Sequence, residues 1–115
     1  MIQHSDLDAT FAALSDSTRR GILEHLTRGA ATVSELAESF EMTLTGIKKH
    51  LALLEAAGMV VSEKRGRVRF CRLGTNPLRQ ELDWMLGYHR EVEARLDRLE
   101  AFLENDDPNR TEKDR

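Results

Sequence analysis

A mainly α-helical protein with one small β-hairpin is the fold class that the 115-residue sequence predicts. Three observations carry it. Four stretches before Gly58 place apolar residues at helical spacing, residues 60–73 switch to period two around a glycine, and residues 78–103 repeat apolar residues at alternating steps of four and three. With 40% apolar, 32% charged and 5% aromatic residues, the composition fits a soluble globular chain of about one domain. No apolar run approaches the roughly 20 residues that span a bilayer, and MIQHSDLDA carries no secretory pattern, so no membrane association and a cytoplasmic location are expected. The lone Cys71 offers no intrachain disulfide, in keeping with a reducing compartment.

In order along the chain, Leu7, Phe11 and Leu14 predict a short amphipathic helix from Ser5 to Ala13. Asp16 can cap a second helix, Ser17 to Thr27, with Ile22, Leu23 and Leu26 inward and Gly29 at its end. Thr32 and Glu35 have the spacing of a capping box, which opens a third helix lined by Val33, Leu36, Ala37 and Phe40. Only Glu41 and Met42 separate it from Thr43, the cap of a fourth helix running from Leu44 to Ala57. There Ile47, Leu51 and Leu54 share one side while Thr45, Gly46, Lys49 and Ala52 face the other, with Lys48 beside them. Gly58 stops it.

Two helices joined by so short a turn predict a helix-turn-helix, whose second helix buries one face and offers its N-terminal outer face to a DNA major groove. After Gly58, alternating Val68 and Phe70 against Arg67 and Arg69, with Gly66 at the bend, predict a hairpin with Val68 and Phe70 on the core and a basic face outward. That completes a winged helix-turn-helix. Asn76-Pro77 starts a last helix, in which Leu78, Leu82, Met85, His89, Val92, Leu96, Leu99 and Leu103 form a continuous seam. A helix of about 40 Å outreaches so small a domain, so a second chain is expected to cover the seam. Residues 1–104 are thus expected to form one domain that includes a dimerisation helix over 76–104, and NDDPNRTEKDR, residues 105–115, to be a disordered tail.

Charge is concentrated where this organisation needs it. Residues 46–72 hold seven Lys/Arg against two acids, whereas residues 1–45 hold three against seven and residues 73–115 seven against eleven. A net charge of −3 therefore conceals one basic window suited to phosphate.

The element order, together with LSDSTRRGILEHL, TVSELAE, GIKKHLALLEAAGMV and EKRGRVRFCRL, resembles the ArsR/SmtB family of bacterial winged-helix repressors over about residues 7–86. The resemblance implies a homodimeric repressor of an inverted-repeat operator on double-stranded DNA. WMLGYHREVEARLDRLEAFLE is similar to a subgroup with a long dimerising helix and no metal requirement. Many members of the family have glutamine at the position of Leu44 and serine at that of Lys48. Leucine can touch a thymine methyl but cannot form a bidentate bond to adenine, so a different operator sequence is implied.

The expected major-groove contacts are Thr43, Leu44, Thr45, Lys48 and Lys49. His50 is placed near phosphates, and Gly46 sits where backbone could approach DNA, at a helix cost of about 1 kcal/mol. On the wing Lys64, Arg65, Arg67 and Arg69 are the candidates, with Arg72 adding charge. Leu7 and Phe11 join Leu82, Met85, His89, Val92, Leu96, Leu99 and Leu103 as expected dimer contacts. No metal is expected: the family's Cys-x-Cys-Asp-Leu site corresponds to Thr32-Val33-Ser34-Glu35-Leu36, which has no thiolate, and His89 lies in the apolar seam. Cys71, between Arg69 and Arg72, reads as a bystander or, if exposed, as a thiol of lowered pKa. Trp84 and Tyr88, one turn apart, suit aromatic packing at an interface or a small-molecule pocket, and an inducer is left open as a further partner. No phosphate loop or nucleophile set points to an enzyme, and no cofactor is called for. A winged-helix module that binds protein through its seams is the alternative reading.

Overall fold

The computed structural model describes residues 4–106, with side chains over residues 7–105. The elements are α1 (His4–Leu14), α2 (Ser17–Leu26), β1 (Ala31–Thr32), α3 (Val33–Ser39), α4 (Leu44–Ala56), β2 (Val60–Arg65), β3 (Val68–Leu73) and α5 (Arg79–Asp106). The chain divides into two compact units, one up to Glu81 and one from Leu82. No described helix is long and apolar enough to cross a membrane.

Local chemistry sets the helix starts. Asp16 accepts the Arg19 amide, Thr32 and Glu35 form the reciprocal capping box, and the Thr43 hydroxyl accepts the Gly46 amide at 3.0 Å. Two helix ends share one device. Glu41 (φ 53) and Gly58 (φ 74) adopt the left-handed conformation, and the next amides, Met42 and Met59, reach back to Ala37 and Leu54 at 2.9 Å. At Gly58 this follows the sequence; at Glu41 a residue with a Cβ accepts the strain because the α3–α4 turn leaves no room for a longer link.

Ile22, Leu36, Ile47 and Leu54 have no exposed surface and, with Cys71, form the centre of the core. Each such aliphatic side chain contributes about 1.5–3 kcal/mol by leaving water. In α1 the most deeply buried positions are Thr10 and Ala13, while Leu7, Phe11 and Leu14 are only partly covered.

The hairpin belongs to a three-stranded antiparallel sheet ordered β1-β3-β2, with Ala31 opposite Cys71 and Thr32 opposite Phe70. Strand β1 is too short to show a period and was not expected. The expected faces of β3 are reversed. Cys71 is fully buried, Val68 is 42% exposed and Phe70 is partly exposed, so Arg69 and Cys71 share the inner side while Val68 and Phe70 lie outward. Arg69 tolerates that side because acceptors meet it there.

The last helix starts three residues later than the Asn76-Pro77 signal implied. Asn76 does act as a cap-like acceptor, taking the Leu78 amide at 2.9 Å, while its Nδ2 donates to Ala57 O at 3.0 Å. Leu78, at φ 56, packs on the core instead of opening the seam. The helix then continues through Asp106, so residues 105 and 106 are helical; residues 107–115, the rest of the expected tail, lie outside the described residues. At 28 residues α5 is about 42 Å long. In the second unit Leu82, Met85, Val92, Leu96, Leu99 and Leu103 are all exposed.

Candidate nucleic-acid interface

Helix α4 is anchored by Ile47, Leu51 and Leu54, while Leu44 at its start and Thr45, Lys48 and Lys49 are exposed. Four residues in the first two turns thus face solvent from a helix whose own position is fixed by burial. Thr43, also exposed, has its hydroxyl engaged as the cap. A Cβ at Gly46 would stand 3.2 Å from that hydroxyl and 3.1 Å from Met42 Cε, so the glycine makes room for the cap itself.

Lys64, Arg65 and Arg67 are exposed along and at the tip of the hairpin, where Arg65 and Val68 pair around Gly66-Arg67. The Arg65 guanidinium lies 5.1 Å from the Phe70 ring centroid and 3.5 Å from Glu63, which orients it while leaving it in solvent. Arg69 is held differently. Its Nε donates to Ser62 Oγ at 3.0 Å and a terminal nitrogen lies 3.7 Å from Glu55, to which Ser62 also donates at 2.7 Å. This triad links β3, β2 and α4.

Two shallow recesses run along the same side. Lys48 and Arg69 wall one with Ala52 and Glu55; Arg67 and Arg69 wall the other with Thr32 and Ser34. Lys48, Arg67 and Arg69, far apart in sequence, therefore border adjoining recesses between α3, α4 and the wing. Ser34, exposed on α3, lines this basic rim and was not singled out from the sequence, where it was named only in the stretch that corresponds to the family's thiolate site.

His50 is not part of the exposed row. Its ring is 19% exposed, with Nδ1 3.1 Å from Arg19 Nη1 and 3.7 Å from Asp16 Oδ2. Arg19, missed in the sequence, also donates to the carbonyls of Ala13 and Ala12. The amide of Arg19 on its carboxylate holds Asp16 below the ordinary carboxyl range, with the Arg19 charge adding to the effect. Burial pushes the Cys71 thiol up, Glu55 pushes it further, and Arg69 opposes them; the thiol of lowered pKa considered from the sequence is overturned.

The residues that match the family's metal positions are engaged with neighbours in the chain. Thr32 and Glu35 satisfy each other's backbone amides, and the backbone amide and hydroxyl of Thr32 hold the Glu35 carboxyl low. His89 Nε2 lies 2.8 Å from Glu93 one turn on.

A helix-turn-helix followed by a basic hairpin defines a winged-helix DNA-binding protein. A helix-turn-helix domain model matches residues 14–63. The transcriptional repressor SdpR of Bacillus subtilis strain 168 is 33% identical over 82 residues, 71% of this chain and 91% of that one. The crystal structure of an ArsR family transcriptional regulator is 40% identical with a TM-score of 0.72, covering 81% of this chain and 97% of the other. A homodimeric winged helix-turn-helix DNA-binding domain from Mycobacterium bovis shares the fold at TM-score 0.61 and 21% identity, over 79% of this chain and 84% of that one. The chain belongs to the ArsR family of helix-turn-helix transcriptional regulators.

Proposed function

We propose that this regulator is a homodimeric, metal-independent, non-enzymatic repressor that binds an inverted-repeat operator. The observation that carries the reading is the exposed row Thr45, Lys48 and Lys49 on an anchored helix, beside recesses walled by Arg67 and Arg69. Leu44, Thr45, Lys48 and Lys49 enter the major groove, with Thr43 and Gly46 at the helix start. Lys64, Arg65 and Arg67 reach flanking phosphate or minor groove, and Arg69 braces the wing while adding charge. His50 contributes by position, through Arg19, more than by direct contact.

Residues 1–104 act as one unit in which the α5 seam, with Leu7 and Phe11 of α1, joins two copies. The exposed apolar residues from Leu82 to Leu103 support this, since a continuous apolar stripe of that length is costly in water. The capping box at Thr32 and Glu35 and the lack of cysteine in that stretch support independence from soft metals.

Footprinting on DNA flanking the gene, followed by affinity measurements over a salt series, tests the reading. Protection of an inverted repeat is expected, with affinity falling steeply as salt rises. Each of Lys48→Ala, Lys49→Ala and Arg67→Ala should weaken binding and reduce the log–log salt slope by about 1 for each phosphate no longer neutralised. Binding that ignores salt and survives the triple substitution would replace this reading with a protein-binding winged helix.

A further inference from the structure

A cavity of about 390 Å³ opens between α1 at Ala9, the last turn of α4 at Ala56 and Ala57, and the first turn of α5 at Glu81. Glu81 is 4% exposed, yet no ion pair or hydrogen bond to another described residue reaches its carboxylate. It is not sealed in protein, because no fully buried side-chain oxygen among the described residues lacks a partner, and the residue lines the cavity. Arg79 is the cationic side chain on the same wall, and it is exposed and forms no ion pair with Glu81.

A carboxylate removed from water without a compensating charge is costly, and the cost falls when a cation takes the vacant side. The end of α4 adds to the demand, since helix C-termini carry partial negative charge. A metal ion is a poor match, because Glu81 is the one carboxylate in the lining and no group of three or more His, Cys, Asp or Glu side chains gathers among the described residues. Ala9, Ala56, Ala57 and Pro77 offer apolar contacts to a short alkyl stem beside the polar Thr10, Asn76 and Gln80, and the volume lies in the range of small-molecule sites, about 300–1,000 Å³.

We propose that this cavity binds a small organic cation, an ammonium or guanidinium group on a short alkyl chain, with Glu81 as its counter-charge. The wall of the site is the far end of the helix that presents Lys48 and Lys49, so occupancy and DNA binding share one rigid element. The same chemistry could be supplied by a lysine or arginine side chain of a second copy.

Amide NMR of the full chain, titrated at pH 7 with n-butylammonium chloride and separately with n-butanol, tests the site. Saturable shifts at Gly58 and Gln80 with the cation, and none with the alcohol, are expected. Glu81→Gln should weaken binding at least tenfold at a melting temperature no lower than that of the wild type, and Ala56→Leu, which fills the cavity, should abolish it. Equal binding of the alcohol, unchanged affinity in Glu81→Gln, retained binding in Ala56→Leu, or no saturable shift would overturn the proposal. Shifts at the same amides on simple dilution of the protein would assign Glu81 to a side chain of the second copy and overturn it likewise. Should Glu81→Gln fail to fold, Ala56→Leu carries the test alone.

Discussion

Arg19 Nη1 stands 3.1 Å from His50 Nδ1. Arginine carries no acceptor, so the guanidinium donates, the ring nitrogen accepts, and the imidazole proton resides on Nε2. The same guanidinium donates at 2.8 Å and 3.0 Å to the carbonyls of Ala13 and Ala12 in the last turn of α1, where Ala12 also accepts from the Ser15 amide and hydroxyl. One side chain thereby ties α1 and α2 to the middle of α4.

Arg19→Ala is expected to lower the unfolding free energy by about 1–2 kcal/mol, measured by urea denaturation at pH 7. Arg19→Lys should recover less than half of the loss, because an ammonium cannot fork to three acceptors. Wild-type stability in Arg19→Ala would show that these bonds contribute nothing net.

Asp16 titrates below the ordinary carboxyl range in the folded chain, chiefly through the Arg19 amide. A depressed folded value means that its stabilisation is present above the unfolded value, near pH 4, and is lost as pH falls through the folded one. Asp16→Asn keeps a capping oxygen but loses the charge. The gap in melting temperature between wild type and Asp16→Asn should be widest near pH 6 and shrink by pH 3; a gap of constant size would rule out the charge effect.

A Cβ on Gly74 would lie 2.3 Å from Gly58 O, next to the bond from the Gly74 amide to Met59 O at 2.8 Å. Gly74→Ala must therefore push the end of β3 from the turn that follows α4, at a cost of about 1–3 kcal/mol. Gly87→Ala is the contrast. No atom stands near its would-be Cβ, and the residue lies inside α5, so a gain of up to about 1 kcal/mol is expected in thermal unfolding.

Leu96→Asp combined with Leu99→Asp should convert the proposed dimer to monomers in sedimentation experiments and weaken operator binding at least tenfold, because both leucines are exposed on α5 in the single chain. Dimers of unaltered stability would move the interface away from this seam.

Capping was legible in the sequence because it is decided within four residues, and Asp16, Thr32 and Thr43 all act as their spacing implies. The wing was harder. A shift of one residue exchanges the two faces of a strand, and the inner set contains a charge, Arg69, whose acceptors Glu55 and Ser62 lie seven or more residues away. The outer set contains Phe70, which reads as core until Arg65 is found over its ring. Leu78 misled for a related reason: its spacing fits the seam, but the Asn76 side chain takes its amide and turns the backbone out of the helix. On α4 the exposed row was readable, whereas the engagement of His50 depended on Arg19, 31 positions earlier.

The strand order leaves β2 with a neighbour on one side only, so the backbone of Val60–Arg65 forms an outer margin of the sheet. Bare margins of this kind recruit strands from other molecules, and Glu63, Lys64 and Arg65 crowd this one with charge. The cations assigned to DNA also guard the protein against self-association into insoluble material. Stripping them to alanine would thus confuse lost affinity with precipitation, and replacing them with glutamate separates the two effects.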